Sequence, residues 1–346
     1  MGRRRPRILY VVQEYPQISE TYIENERRVL AERYSIAIIA LNRADLPFDN
    51  PAHYQVISPG DPERFRAAVR GFAPDIVHGH YFHLLPLAVR VARNNGVPCT
   101  LRCHSFDILS QPEQVLRSAA AAANDDACLG LLSFPFTRPL LEGHGVRPSK
   151  IHDCWPVIDY DRFHDESPNG RGIMNVGAAI PKKNMEDFLR LGALMPEREL
   201  TLYAMGYEVD ALRAANAVMG GRVRIVNGVQ PPDMPAEYKR HEWLVYTACG
   251  MRRSVGWPLA VAEAQAAGVG VCMQSVRPDL AEYVGECGYL FETVGDARRI
   301  VSQPFPAEKR RLGFEHAKRS DLRRHIRILE DLWRPYLQDR GLLPRG

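Results

Sequence analysis

Short apolar segments alternate with amphipathic segments of helical periodicity along almost the whole chain. Alternation of this kind is typical of parallel sheets whose strands are joined by helices. The first helix is predicted over 19–32, because Ser19 is a suitable N-cap and Ile18 can pack against Ile23. The apolar segments predict strands at 7–12, 36–41, 54–58, 75–80, 99–104 and 127–134 and, after a break, at 173–176, 200–204, 223–226, 244–246 and 269–273.

The periodic pattern is interrupted over 156–172, a stretch rich in Pro, Asp, Asn and Gly that is typical of a linker between domains. We therefore predict an α/β protein with two Rossmann-like, doubly wound parallel-sheet domains at 1–155 and 173–319, which face each other across a shared cleft. The segment 320–346 is predicted to form a helix that packs back on the first domain. The apolar stripe on this helix consists of Leu322, Ile326, Leu329, Trp333 and Leu337.

The composition is that of a globular protein. The chain has 346 residues, of which 45% are hydrophobic and 25% charged, and its net charge is +4. No apolar stretch approaches the ~18 residues of a membrane helix, and the basic start lacks the apolar middle of a secretory signal. Because the seven cysteines also form no paired framework, we expect a cytoplasmic protein. The mild basic charge is compatible with peripheral contact at the anionic inner face of a membrane, whereas no motif or basic–aromatic run indicates nucleic-acid binding.

The segment that begins at Gly256 predicts a helix whose first residue is Pro258, because proline is well suited to the first helical position. The free N–H groups of Leu259 and Ala260 would then attract a phosphate. Glu263, about one turn further on, is placed to accept two hydrogen bonds from a cis-diol such as a ribose. An ordinary helix with a surface glutamate explains the same residues, and this segment alone leaves both interpretations open.

Other segments offer polar side chains at predicted strand ends. Lys183 can reach a pyrophosphate, although a solvated loop lysine has the same sequence signature. His104 can donate a hydrogen bond to a substrate or to a developing charge, although a lone histidine is more often structural. His78 and His80 share one strand face, but no cysteine or acidic cluster lies near them in sequence, so we favour a cleft-lining role over a metal site.

Five segments, taken in order along the chain, resemble glycosyltransferase family 4. Pro16–Ile23 is similar to the P-x-L-S-E-T-F-I start of polysaccharide-assembly members, and Asp75–Tyr81 resembles their D-[IV]-[IV]-H-A-H-F strand. Cys103–Ile108 resembles x-H-G-x-D-I, and Pro156–Phe163 resembles the linker motif P-N-G-V-D-x-x-x-F. Trp257–Gly268 resembles F-P-L-x-x-x-E-A-M-A-A-G. The ordered set covers nearly the whole chain.

The resemblance implies a GT-B fold and transfer of a hexosyl unit from a nucleotide diphospho-sugar to a saccharide or lipid-linked acceptor, with retention of configuration. It places His104 near the sugar and its phosphate, Lys183 on the diphosphate and Glu263 on the ribose. Donor contacts are expected from Gly177, Lys183, Arg252, Arg253, Gly256, Trp257, Leu259, Ala260 and Glu263. Acceptor contacts are expected from Glu14, Ser19, Glu20, His80 and Tyr81. No cofactor beyond the nucleotide sugar and no metal is expected, because the helix dipole, Lys183 and an arginine would take the place of magnesium.

Two positions depart from the family pattern. Val255 stands where the first glutamate of the E-x7-E motif belongs, and Ala178 stands in place of the phosphate-binding arginine. We hypothesise that Arg252 or Arg253 supplies the missing cation, the alternative being that both are surface arginines on a long loop. Val255 is also compatible with a deoxysugar donor. The departures leave open a second function, a GT-B relative that has lost catalysis and acts as a sugar-binding or partner subunit. A nucleotide-sugar epimerase, the third candidate, is disfavoured by the opening and linker motifs.

Overall fold

The chain folds into two compact units. A computed structural model describes residues 4–15, 20–43, 54–58, 60–252 and 254–345. The first unit comprises Met1–Trp155 together with Leu322–Gly346, and the second comprises Pro156–Asp321. Among the described residues, no helix combines the length and the apolar character needed to cross a bilayer.

The first unit is built on a parallel sheet in which the described residues form seven strands. These are β1 (Arg7–Tyr15), β2 (Ser35–Arg43), β3 (Tyr54–Val56), β4 (Ile76–His80), β5 (Cys99–Arg102), β6 (Cys128–Ser133) and β7 (Ile151–Asp153). The helices between them are α1 (Thr21–Leu30), α2 (Pro62–Phe72), α3 (Leu85–Asn95), α4 (Phe106–Leu109), α5 (Glu113–Ala123) and α6 (Arg138–Gly143). The spatial order β3-β2-β1-β4-β5-β6-β7 reverses between β1 and β4. In such sheets ligands bind outside the carboxyl ends of the strands at the point of reversal.

The second unit repeats this architecture with a parallel sheet of six strands in its described part. The strands are β8 (Gly172–Ala178), β9 (Leu200–Met205), β10 (Val223–Val226), β11 (His241–Tyr246), β12 (Gly270–Gln274) and β13 (Tyr289–Phe291). The helices are α7 (Tyr160–Phe163), α8 (Glu186–Leu194), α9 (Val209–Val218), α10 (Met234–Lys239), α11 (Leu259–Ala266), α12 (Leu280–Val284), α13 (Val294–Val301) and α14 (Ala307–Ala317). The order β10-β9-β8-β11-β12-β13 places the reversal between β8 and β11.

The last helix, α15 (Leu322–Asp339), belongs to the first unit, where it contacts α1 and β6. All five residues of the predicted apolar stripe are buried, and Trp333 is completely so. The indole N–H of Trp333 donates to the hydroxyl of Thr100 on β5 at 3.0 Å. The prediction that this segment packs back on the first sheet is therefore confirmed.

Several short elements have no counterpart among the sequence predictions. They are α4, β7, β13, α7, α10, α12, α13 and α14. Most span eight residues or fewer, which is too short for a helical or alternating period to stand out. The start of α13 carries a capping box between Thr293 and Asp296, a local signal that the apolar pattern does not contain.

Candidate functional site

In the first unit, β5 brings His104 to the carboxyl edge of the sheet beside His80, the last residue of β4. The ring nitrogens His104 Nε2 and His80 Nδ1 lie 3.2 Å apart, and the planes of the two rings are nearly parallel, at 16°. Asp107, in α4, accepts hydrogen bonds from the backbone N–H groups of His104 and Phe82 and so ties the two strand ends together. Burial outweighs these hydrogen bonds and raises the pKa of Asp107 to about 7.

Tyrosine side chains surround the half-buried His104. The rings of Tyr22 and Tyr81 lie 4.5 Å and 4.7 Å from its ring. Their hydroxyls are 2.7 Å apart, and the Tyr81 hydroxyl also donates to Glu20. Burial raises the pKa of Glu20 to about 7. Tyr81 adopts a φ of 76°, a left-handed backbone that is costly for a residue with a bulky side chain and that clusters at functional sites.

His80 was expected among the acceptor contacts, but its side chain is completely buried. It can therefore influence a substrate only through His104. Glu26, also completely buried, accepts hydrogen bonds from the Nε of Arg102 at 2.9 Å and from the hydroxyl of Tyr10 at 3.0 Å. Burial opposes ionisation of Glu26, but the charge of Arg102 holds its pKa well below the usual range.

No acidic cluster lies near His78 and His80 in sequence, but the fold brings Glu26 to both of them. Its Oε1 lies 3.1 Å from Nε2 of His78 and 3.4 Å from Nε2 of His80. One ligand atom from each of the three residues falls within 4.8 Å of the others, which is compatible with a metal. The carboxylate is, however, already paired with the buried guanidinium of Arg102, and a metal cation here would lie close to that charge.

In the second unit, Lys183 lies in a short 3₁₀ turn after β8, at the reversal of the sheet. Its Nζ is 4.4 Å from the centre of the Tyr246 ring at the end of β11. A Cβ atom added to Gly177 would lie 3.8 Å from the same Nζ, so the backbone of β8 passes close to this ammonium. Burial and then the like charge of Lys182 lower the pKa of Lys183 to about 7.

The Lys183 backbone is held by residues that the sequence analysis did not identify. The Thr247 hydroxyl donates to the carbonyl of Lys183 at 2.8 Å, and Asn175 donates to the Thr247 oxygen at 3.0 Å. Asn175 and Thr247 belong to β8 and to the loop after β11, so the two strands at the reversal jointly position the lysine. The available signal was a polar residue inside the otherwise apolar β8 and a threonine directly after β11.

The helix α11 begins at Leu259, whereas Pro258, predicted to be its first helical residue, has an extended backbone and forms the N-cap. The side chains of Leu259 and Ala260 are partly exposed. Glu263 lies in the second turn of α11 and accepts a hydrogen bond at 2.8 Å from the hydroxyl of Tyr238 on α10. Burial raises the pKa of Glu263 to about 7, against the effect of Tyr238. Tyr238, completely buried, was not identified from sequence, because α10 is too short to show a period.

The turn before α11 is stabilised from within the second unit. The indole N–H of Trp257 donates to Asp279 at 2.8 Å, and its ring stacks on Tyr283. The Trp257 side chain is thus a packing element, and a donor contact at this residue would come from its main chain. Val255 is buried, and its carbonyl accepts a hydrogen bond from Arg277.

Some of the predicted site residues lie outside what the structure describes, and others lie apart from these clusters. Ser19 and Arg253 lie outside the described residues, as does the side chain of Arg252. The hypothesis that one of the two arginines replaces the missing cation therefore remains a prediction. Ala178 is the last residue of β8, and Glu14 is partly exposed near the end of β1. Gly256 is partly exposed in the turn before α11.

Comparison with known proteins identifies both units. Residues 25–152 match the model of the glycosyl transferase 4-like domain. Residues 170–303 match the model of glycosyl transferases group 1. None of the curated proteins compared with the chain matches it significantly.

Solved structures with this fold include HepE of Anabaena in complex with UDP and glucose, which aligns with a TM-score of 0.75 and 15% identity over 94% of this chain and 99% of that one. Sucrose-phosphate synthase of Thermosynechococcus elongatus aligns with a TM-score of 0.66 and 16% identity over 97% and 98% of the two chains. WaaG, a glycosyltransferase involved in lipopolysaccharide biosynthesis, aligns with a TM-score of 0.63 and 14% identity over 98% and 100%.

At these identities the structural likeness establishes the fold, which is the predicted GT-B architecture, while the two domain models establish the class of reaction. Neither comparison favours the alternative of a relative that has lost catalysis. The chain therefore belongs to the glycosyltransferases of the family 4 type.

Proposed function

We propose that this glycosyltransferase moves a hexosyl unit from a nucleotide diphospho-sugar to a saccharide or lipid-linked acceptor, retains the anomeric configuration and requires no metal. In this reaction a bond forms between the anomeric carbon and an acceptor oxygen. The bond from the anomeric carbon to the diphosphate breaks, the acceptor hydroxyl loses its proton, and the nucleoside diphosphate leaves with the negative charge. The protein must stabilise that charge.

The observation that carries the proposal is the state of Lys183. A lysine whose pKa is near 7 is held partly uncharged by burial at the position where doubly wound sheets bind ligands. A diphosphate brought to Nζ would favour the charged form and restore the ammonium. Lys183 is therefore suited to meet an anion that arrives with the substrate.

Glu263 supports the nucleoside end of the donor. Its carboxyl is held by Tyr238 on one oxygen and has a pKa near 7, so a ribose diol that donates hydrogen bonds to the carboxylate would favour its ionised form. The N-terminus of α11, one turn earlier, offers backbone N–H groups to a phosphate. His104 and the surrounding tyrosines in the first unit are proposed to meet the transferred sugar and the acceptor.

A panel of nucleotide sugars tests the proposal. HepE was crystallised with UDP and with UDP-glucose, so UDP-sugars form the first set, and GDP- and ADP-sugars the second. The expected result is a rise in melting temperature with one base, because a bound donor stabilises only the native state. That donor should then be hydrolysed slowly to the nucleoside diphosphate, at a rate unchanged by EDTA. If a donor raises the melting temperature but is never turned over, the protein binds without catalysis.

Two further measurements test the finer parts of the proposal. The anomeric coupling constant of the product, measured by proton NMR, distinguishes retention from inversion. Lys183→Met should abolish the thermal shift, whereas Lys182→Met, the adjacent and less buried lysine, should preserve it. Equal losses in both variants would contradict the role given to Lys183.

A further inference from the structure

The first unit contains a continuous set of buried polar side chains that leads from α15 to His104. Trp333, Thr100, His78, Glu26 and His80 are each completely buried. Buried polar groups that form one hydrogen-bonded set constrain the positions of one another's protons. The donors and acceptors in this set can be assigned one contact at a time along the set.

The assignment starts at Trp333. An indole N–H only donates, and it points at the Thr100 oxygen at 3.0 Å. The hydroxyl of Thr100 can then give its own proton to Nδ1 of His78, which lies 2.8 Å away. This leaves the proton of His78 on Nε2, which faces Oε1 of Glu26 at 3.1 Å. His78 is thereby a neutral imidazole whose Nε2 proton lies next to the carboxylate, at an angle that does not make a regular hydrogen bond.

The same carboxylate oxygen faces His80. Its Nε2 lies 3.4 Å from Oε1 of Glu26, and a lone pair on that nitrogen would oppose the negative charge. The proton of His80 is therefore favoured on Nε2, and Nδ1 carries the lone pair. His104 Nε2, at 3.2 Å from this Nδ1, must then be the donor. The remaining nitrogen of His104, Nδ1, carries a lone pair.

The alternative use of these residues is as metal ligands, because Glu26, His78 and His80 bring three ligand atoms together. Arg102 argues for hydrogen bonding, since it already holds Glu26 through two guanidinium nitrogens while being buried itself. Tyr10 also donates to Glu26. The Glu26 carboxylate thus already accepts hydrogen bonds from Arg102 and Tyr10.

We propose that His80 is a positioning residue that fixes the tautomer of His104, so that His104 presents Nδ1 as a hydrogen-bond acceptor to a sugar hydroxyl. This rests on the proposed function in that it assigns the hydroxyl to the transferred sugar or the acceptor. The family resemblance places His104 near the sugar and its phosphate, and the proposed tautomer favours the sugar, because a neutral acceptor nitrogen gives no attraction to an anion. Compensation of the diphosphate charge then falls to Lys183 and the start of α11.

The surroundings of His104 fit a fixed ring. The rings of Tyr22 and Tyr81 lie at 4.5 Å and 4.7 Å, and the ring plane of His80 is inclined by only 16° to that of His104. The charged groups that act on His104 are Arg102 and Glu26, with His80 and His78 as further titratable neighbours. Packing of this kind limits rotation of the imidazole, and a fixed tautomer then gives one defined polarity at its exposed nitrogen.

The first experiment reads the tautomer directly in the full chain. Nitrogen-15 NMR of histidine-labelled protein at pH 7 should show His104 with a protonated Nε2 and a pyridine-type Nδ1. The signals are assigned by their loss in His104→Gln. A proton on Nδ1 of His104, or an imidazolium, overturns the proposal. Metal analysis of the purified protein should show no stoichiometric ion, and one equivalent of zinc overturns the hydrogen-bonded arrangement. This readout is independent of activity, so a correct tautomer without transfer would refute the proposed function alone.

The second experiment separates positioning from stability. His80→Asn keeps an acceptor oxygen near the position of Nδ1 and should retain turnover within a few-fold of the native protein. His80→Leu removes the acceptor and should lower kcat by about 10–100-fold with the donor KM unchanged, a range typical of residues that orient a functional group. His78→Leu is the matched control, since it perturbs the same carboxylate but not His104, and it should lose stability while the His104 tautomer is kept. Equal kcat in His80→Asn and His80→Leu would contradict the proposal, and if His80→Leu does not fold, the native NMR spectrum still decides.

Discussion

Replacing Lys183 with methionine should stabilise the free protein and at the same time weaken donor binding. The side chain lies half-buried over the Tyr246 ring, with Lys182 as a neighbouring like charge. Burying an ammonium disfavours its charged form, and methionine fills a similar volume without any charge. A loss of binding combined with a gain in stability is the signature of a residue kept for function.

The size of the gain in stability follows from the pKa of Lys183. In the unfolded chain Lys183 loses its proton near pH 10.5, and in the folded chain near pH 7. Between these values the unfolded chain binds more protons, so the free energy of unfolding of the native protein rises with pH. The lowered pKa of Lys183 reduces the free energy of unfolding at pH 7 by at most about 4 kcal/mol. Because the side chain is only half-buried and gains from the Tyr246 ring, we expect methionine to add about 1–2 kcal/mol at pH 7 and progressively less towards pH 10.

The loss of binding has a comparable size. A charge-assisted hydrogen bond contributes about 1.5–3 kcal/mol, so the dissociation constant of the nucleoside diphosphate should rise by roughly 10–150-fold. In the native protein the same contact should weaken above pH 7, because the free lysine is then increasingly neutral and must take up a proton on binding. Affinity should fall by up to about tenfold per pH unit above 7 until the pKa of the bound state is reached.

Urea denaturation at pH 7 and pH 9.5 measures the gain in stability. Calorimetric titration with the nucleoside diphosphate selected from the panel measures the loss of affinity. Lys182→Met is the control, with a small change in both. The reasoning is refuted if Lys183→Met destabilises the free protein, since burial would then not be acting against the ammonium. It is also refuted if affinity in the native protein is flat from pH 7 to pH 9.

Three other substitutions have defined outcomes. Tyr238→Phe removes the hydrogen bond that favours ionised Glu263, so nucleoside diphosphate affinity should fall about 3–10-fold at pH 6.5, and the deficit relative to the native protein should shrink at pH 8 in calorimetric titrations; a deficit independent of pH would show that Tyr238 acts in another way. Trp257→Phe loses the hydrogen bond to Asp279 and should lower the free energy of unfolding by about 1 kcal/mol while leaving the donor KM unchanged, whereas a large rise in KM would mean that the indole itself meets the donor. Trp333→Ala empties a completely buried site in α15 and should cost about 3–5 kcal/mol in urea denaturation, and a loss below 1 kcal/mol would mean that α15 is not integral to the first unit.

The long elements of both units could be predicted from sequence because their periodicity is set by burial. The helix α9 was predicted at the bounds observed, and β8 and β11 were found although both are longer than expected. The apolar stripe of α15 was enough to predict where the helix packs, since an isolated stripe must cover another surface. Elements without a period, such as α10 and α12, gave no comparable signal.

The sequence predicts the candidate site residues that lie near strand ends. It does not predict the partners that reach them from other elements. His104 and Lys183 lie in the connections that leave β5 and β8, so their place at the carboxyl edge follows from the topology. Glu26 and Tyr238 act through contacts between elements far apart in sequence, 76 residues from Glu26 to Arg102 and 25 from Tyr238 to Glu263. Glu26 would be expected on a solvated helix face, because glutamate is rarely buried unless it is paired, and its partner lies on another element.

The proposed donor site thus combines two groups whose pKa values are brought towards neutrality by burial from opposite sides. Burial lowers the pKa of Lys183 and raises that of Glu263, each to about 7. A diphosphate would restore the charge of the lysine with uptake of a proton, and a ribose diol would restore the charge of the glutamate with release of one. Near neutral pH the two exchanges oppose each other, so a ligand that engages both groups binds with little net proton transfer. A free diphosphate engages only the lysine and must draw its proton from the solvent, and this difference favours the intact nucleotide over its phosphate part as the pH rises to about 7, above which Glu263 is already ionised.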